Sequence, residues 1–400
     1  MKLLLTIAAV MVTSGTFAQS LIPGLEIGGT GRLMPYDSAV LDLRETRSDL
    51  PCTITSRKPE LGLDFMFHTG YSVSIPVREL AGSGNLLTVV FRVYPEKHFN
   101  KATYFVQKMP VPAIGQDAQG RVALEGSFLV GKGGYLVDWL VRDSDERVCA
   151  GFWMLEPKVG SKDGAVAGAV PHDTVLPADA NPFAQPSPVA TEQRGGPLNV
   201  KIIVNFAPQN IERATPSSAD VEGLAAILRT IGREPRVSKY TIVACSVAAQ
   251  QVFYRQQDAP HLNLSALGQA FNALALGKVD VKQLAVKNGE IEFLTNLILN
   301  EVKNDRFDGL IFVGPKYPLD ANVSPGVIAQ LKENDLPVFY LTYESDPLLF
   351  PWRDAIGHVV KQLRGFQYSI SRPCDLLNAW SDVLSRIIKR KETLGVQSAN

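Results

Sequence analysis

The chain has 400 residues, with 40 Lys and Arg against 40 Asp and Glu, so its formal net charge is zero. That balance excludes a basic face for nucleic acid or anionic lipid, and there is no acidic tail. Four cysteines in so long a chain do not make a disulfide scaffold, and beyond the N-terminus no window carries the apolar run that a membrane span needs.

Residues 1–18 read as a signal peptide. Lys2 supplies the positive charge, Leu3 to Val12 the apolar core, and Thr16 and Ala18 the small residues before a cleavage at Gln19. The mature chain is therefore expected to be secreted or periplasmic. Roughly 380 residues remain, enough for two domains with separate cores. Residues 19–155 carry strand patterns only. "GLDFMFHTGYSVSIPV", "NLLTVVFRVYP" and "KATYFVQKMPV" are β-rich runs bounded by turn residues. "GGYLVDWLVRDSDERVCAGFWML" reads as a hairpin, with Tyr135, Val137, Trp139 and Val141 on one face and Asp143 to Glu146 in the turn. Roughly seven short strands point to an immunoglobulin-like β-sandwich. An oxidising compartment permits a Cys52–Cys149 disulfide inside it, whereas Cys245, on an apolar strand, is expected to stay free.

Residues 156–197 are rich in Pro, Ala and Gly and lack any period, which predicts a flexible, partly extended linker. From 198 to 391 the pattern alternates between strand and helix. "LNVKIIVN" is a buried strand, and Ser217 with Asp220 caps a helix whose apolar face is Val221, Leu224, Ile227, Leu228 and Ile231. "YTIVACSV" and "QQVFYRQ" read as a hairpin. Helices follow near 264–276 and 290–303, strands at "FDGLIFVGP" and "LPVFYLTYE", a helix opened by Ser324 and Pro325, another near 352–364, the strand "FQYSI" and the helix "DLLNAWSDVLSRIIKRK". This alternation predicts an α/β, doubly wound and mostly parallel sheet of Rossmann type. Residues 392–400 are expected to be a disordered tail.

The element order from Leu198 onward, with its hairpin after the first helix, resembles the von Willebrand factor type A family. A signal peptide, a sandwich and such a domain together are similar to secreted bacterial proteins of that superfamily. The resemblance implies adhesion to another protein through a Mg²⁺ ion held at the strand ends. The family's first metal loop reads Asp-x-Ser-x-Ser, and Asn205, Ala207 and Gln209 stand there in this chain. Its Thr-Asp-Gly loop is replaced by Gly314, Pro315 and Lys316. An amide, a methyl, a proline and an ammonium do not provide the oxygen shell that a hard cation needs. A degenerate adhesion site without metal or cofactor is expected.

The sequence is thus read as a metal-independent binding protein, not an enzyme, whose partner is another protein or a cell-surface polymer. The docking rim is expected where parallel strands 200–205, 310–313 and 338–343 end, at Asn205, Gln209, Lys316, Tyr343, Glu344 and Asp346, with Tyr343 as aromatic anchor. The alternative is a hydrolase using the carboxylates Glu344 and Asp346 at the same edge. The five histidines are scattered without ligand spacing. Mass spectrometry of the exported protein is expected to show a mature chain starting at or near Gln19; exported material that retains Met1 would exclude the cleavage.

Overall fold

Strands in the first half of the chain follow from runs of Val, Tyr, Phe and Trp, which favour a pleated, packed surface. The structure is a computed structural model that describes residues 20–22, 33–160, 163–164, 169–178, 181–185, 197–210, 213, 215–274, 289–303, 307–318, 323, 326, 328–329, 336–344 and 354–397. The signal peptide, Asp346 and the Ser324–Pro325 helix start lie outside the described residues. Two units emerge: Met1–Glu60, Phe67–Lys158 and Val170–Ala180 form one, and Leu61–Met66, Val159–Ala169 and Asn181–Asn400 form the other.

The first unit consists of two antiparallel sheets. One has the order β1-β6-β5-β8-β9-β2 and uses Ser20–Ile22 (β1), Arg47–Ser48 (β2), Asn85–Pro95 (β5), Thr103–Val111 (β6), Tyr135–Arg142 (β8) and Val148–Leu155 (β9). The other runs β10-β7-β4-β3, from Thr53–Leu61 (β3), Phe67–Pro76 (β4), Arg121–Val130 (β7) and Val175–Pro177 (β10). They meet through an aromatic core. Tyr71 lies 5.3 Å from Phe91 and 5.2 Å from Trp139, and Phe128 lies 5.6 Å from Phe91 and 6.0 Å from Phe105. Cys52 and Cys149 are bonded. Helix α1 (Pro35–Leu43) packs on the outer face of the first sheet. Arg142 Nε donates to Asp37 at 2.8 Å, and Arg92 joins buried Asp138 at 2.6 Å while also reaching Asp42 and the Leu41 carbonyl. Asp143, in the expected turn, is fully buried: its carboxylate accepts from the backbone of Asp145 and Arg147 and from Arg147 Nε.

The second unit holds a mixed sheet of order β13-β12-β11-β14-β15-β16, made of Leu198–Asn205 (β11), Val237–Ser246 (β12), Gln251–Ala259 (β13), Gly309–Gly314 (β14), Val338–Tyr343 (β15) and Phe366–Ile370 (β16). Only the β12–β13 pair is antiparallel. Period two sorts β11 between the faces. Leu198, Val200, Ile202 and Val204 join α2 (Ser218–Gly232) and α6 (Pro373–Gln397) in one cluster, which also takes in α3 (Leu264–Ala273). Ile203 joins α4 (Gly289–Lys303) and α5 (Ala355–Gln362) in the other. Ser217 and Asp220 form the expected capping box on α2. Cys245 and Cys374 are free thiols, both buried. No helix among the described residues is long and apolar enough to cross a membrane.

The expected fold class, an immunoglobulin-like sandwich followed by a doubly wound von Willebrand factor A-like α/β domain, does not describe this chain. The described residues form sixteen strands in three sheets, two antiparallel and one mixed, with six α-helices, so the protein is mostly β. Element order alone carried the resemblance, and a mixed sheet with helices between its strands yields that order without belonging to the class. The segment 156–197 also departs from expectation. Val175–Pro177 adds an edge strand to β7, and Phe183 is 2% exposed between Phe206 and Phe271. Prolines do not prevent edge pairing, and a single buried ring anchors a segment that has no period of its own. Likewise α6 extends to Gln397, through most of the expected tail.

One charge sits at the centre of the mixed sheet. Lys201 on β11 is fully buried, its Nζ 2.8 Å from Glu301 Oε2 and 2.7 Å from the Glu301 carbonyl, while Arg255 binds the other carboxylate oxygen. Removing one member of such a cluster leaves a buried charge without its counter-charge. Glu301→Ala is expected to lower unfolding free energy by about 3–5 kcal/mol in urea titrations. The paired change Lys201→Met with Glu301→Leu should recover most of that loss; a single-variant loss below about 1 kcal/mol would show that the cluster is solvated.

Candidate functional site

The structure brings five of the six rim residues to the carboxyl ends of adjacent strands, and it puts their side chains to internal use. Asn205 ends β11 and is 1% exposed; its Oδ1 accepts from Ala207 N at 3.1 Å and Val247 N at 3.0 Å, joining its own turn to the end of β12. Its Nδ2 is buried without an acceptor. Gln209 donates to Asp220 at 2.6 Å, so the amide reinforces the α2 cap. Gly314 has φ +154°, and a Cβ there would lie 2.8 Å from the Asn205 carbonyl, a close approach open only to glycine. Lys316 Nζ lies 3.0 Å from Glu344 Oε1, which also accepts from Ser369 Oγ at 3.0 Å. Asp346 lies outside the described residues. Among the described residues no three His, Cys, Asp or Glu side chains are placed to share a metal ion.

Tyr343 is not an exposed anchor, contrary to expectation. It is 8% exposed, donates to the Ala219 carbonyl at 3.2 Å, and lies so close under α2 that a Cβ on Gly223 would stand 2.4 Å from its ring. A strand-end position places a residue at the rim but does not say whether a helix covers it. Tyr317 is equally hidden and donates to Glu290 at 2.8 Å.

A second region has no counterpart among the expected sites. In the first unit β3 is the edge of its sheet, and among the described residues β9, paired with β8 on one side, has on its other side only the two-residue β2, opposite Cys149 and Ala150. Between β3 and β9 runs a cleft of about 350 Å³ near the Cys52–Cys149 disulfide, continuing into one of about 730 Å³; Ser56 and Trp153 line both parts. Trp153 is half-buried, and its indole N–H is buried without an acceptor. Met154 beside it is 62% exposed. Lys58, Lys97 and Lys158 line the wider part, and none forms an ion pair among the described residues. Of the acids there, Asp173 lies 3.0 Å from His172, and Glu96 folds over Gly134. The sequence signal was available: "VCAGFWML" is a strand with neither charge nor proline, features that usually protect an edge.

No family model matches the chain, and no curated protein is similar to it. Among solved structures it is similar to a glycosyl hydrolase family 2 member from Bacteroides cellulosilyticus, with 10% identity, 79% of this chain and 37% of that one covered, and a TM-score of 0.18. It is similar to a Bacteroides uniformis β-glucuronidase, with 9% identity, coverages of 78% and 38%, and a TM-score of 0.17. A family 123 glycoside hydrolase from Clostridium perfringens gives 10% identity, coverages of 81% and 80%, and a TM-score of 0.19. The chain spans well under half the length of the first two. The expectation that the chain is not an enzyme is withdrawn. Likenesses this remote supply no activity in its place.

Burial pushes the Tyr343 hydroxyl up to about 12, with Asp220 and Glu222 adding to the effect. Tyr135 is pushed up to about 12 as well, and Tyr240, Tyr317 and Tyr340 are raised further, in each case chiefly by burial. A folded-state value above the unfolded one means that the folded protein holds its proton more tightly. The stability is complete below the unfolded tyrosine value near 10 and is lost as pH rises toward 12. Unfolding free energy is therefore expected to be level up to about pH 10 and to fall steeply above it. Tyr343→Phe should flatten part of that slope and cost about 1 kcal/mol at neutral pH through the lost Ala219 bond; an unchanged alkaline slope would place the ring in solvent.

Proposed function

We propose that this chain is an exported binding protein that holds another protein or a surface polymer without a metal ion, and that the β3–β9 cleft is its contact. The observation that carries this reading is the cleft itself: about 730 Å³, within the size range of ligand sites, about 300–1,000 Å³. Trp153 offers a flat apolar wall with an unused N–H, and Lys58, Lys97 and Lys158 provide unpaired charge around it. Aromatic residues at such positions supply most of the binding free energy, and charges at the margin set the encounter rate and partner choice. The disulfide within the same unit fits an oxidising, extracytoplasmic compartment. The rim of the mixed sheet supports a second contact on one observation only, the buried Asn205 amide without an acceptor.

The test is binding of the full chain to immobilised arrays of purified polysaccharides and of synthetic peptides. Retention on at least one array is expected, unchanged by EDTA. It should fall at least tenfold in Trp153→Ala or in Lys58→Ala with Lys97→Ala, and remain in Lys316→Ala. Loss in Lys316→Ala alone would move the contact to the rim, and loss in EDTA would show that a metal takes part.

A further inference from the structure

The cleft's walls are two sheet edges, and that limits what can occupy it. Gly151–Leu155 of β9 pairs with β8 on one side and, among the described residues, with no strand on the other, because the β2 ladder reaches only Cys149 and Ala150. In an antiparallel ladder alternate residues turn their N–H and C=O groups to the same side, so this stretch presents a row of unpaired donors and acceptors to the cleft. Most edges are blunted by charge, proline or brevity. The opposite edge, β3, shows such blunting, with Arg57, Lys58, Pro59 and Glu60 in succession. β9 shows none.

We infer that the β3–β9 cleft receives one extended polypeptide strand of a partner protein, which adds to β9 as a new edge strand and carries acidic side chains toward Lys58, Lys97 and Lys158. This rests on the cleft being the contact. Three observations select a free strand over other occupants. The uncovered stretch, from Gly151 to Leu155, matches a strand of roughly five residues. The β3 wall stands across the cleft with Arg57, Lys58 and Pro59 toward it, so a second sheet approaching β9 meets charge and proline there, which disfavours pairing with a second copy of this chain. The lysines outnumber the free acids around the wider part, where Glu156 is the one carboxylate neither folded over the backbone nor facing His172. Backbone pairing then provides the affinity, and alternate side chains provide the choice of sequence.

The test uses the full chain and synthetic ten-residue peptides of alternating Val and Thr, in acidic, neutral and basic versions. The acidic set is expected to bind best, at least tenfold above the basic set, and to weaken in Lys58→Ala with Lys97→Ala. N-methylation of alternate backbone nitrogens should abolish binding in one phase and leave it unchanged in the other, a period-two signature that only strand pairing produces. Hydrogen exchange should slow at alternate amides of Gly151–Leu155. If peptides bind at Trp153 but tolerate N-methylation in both phases, or if only polysaccharides bind there, the cleft remains the contact and strand addition is wrong. If binding ignores Trp153→Ala, both readings fall. If β9 becomes protected only as the chain dimerises in sedimentation, a second copy covers the edge and the inference is overturned.

Discussion

A β-sheet ends in unpaired N–H and C=O groups, and how those ends are covered governs the rest of this structure. The three sheets present edges at β1, β2, β3, β10, β13 and β16. β1, β2 and β10 are two or three residues long, and β10 ends in Pro177, so each offers little to an incoming strand. β3 and β13 carry charged side chains. At β16, the Arg386 guanidinium lies 3.8 Å from the ring centre of Phe366 and caps the exposed end of that strand. Brevity protects β2 at the expense of its neighbour, because a two-residue edge leaves most of β9 uncovered. A chain that blunts all six of these edges and still leaves one apolar strand open beside a cleft has kept that opening where an aggregating edge would otherwise be a hazard.

Charge in the interior shows the same logic of satisfaction. Lys201 meets Glu301, whose other carboxylate oxygen takes Arg255, and Asp138 meets Arg92, Arg44 and Tyr94, so each of these buried charges has a counter-charge or donor within hydrogen-bond distance. Such clusters add little net stability compared with apolar packing, but a wrong register would strand one member. Asp138 and Arg92 stand opposite each other on β8 and β5, and Lys201 reaches from β11 to α4. A slip of one residue in either sheet would turn one partner to the other face. The polar centres thus define alignment where the many Val and Ile residues would accept several.

Much of this architecture was legible where period and chemistry agreed. The hairpin 135–155, the α2 capping box, the β12–β13 pair and the parallel neighbours β11, β14 and β15 all follow from alternation, capping residues and turn signals. Class and family were not legible, because element order does not count strands across the chain. Segment 156–197 was misread because a three-residue edge strand and one buried phenyl ring leave no periodic trace. At the rim, strand ends located Asn205, Lys316 and Glu344, yet burial of Tyr343 under Gly223 depends on helix placement that no local pattern encodes. The burial of Asp143 was not legible for a related reason: aspartate signals a turn, as it does here, whether it faces water or closes the turn from inside.

The disulfide connects these themes. Cys52 precedes β3 and Cys149 lies on β9, so the bond ties together the two edges that form the cleft, with their Cα atoms 6.2 Å apart. Stacked sheets ordinarily stand about 10 Å apart, so this clamp draws the edges together at one end. Gly151, two residues further along β9, faces the tip of Ile54, which a Cβ there would approach to 2.8 Å. Beyond it the cleft passes Trp153 and Ser56 toward the lysines, from a space of about 350 Å³ into one of about 730 Å³. The width available to an occupant is therefore set by a covalent bond and a missing side chain at one end, not by packing against the occupant. A cleft shaped in this way exists before anything enters it, and less ordering is then required of the protein on binding.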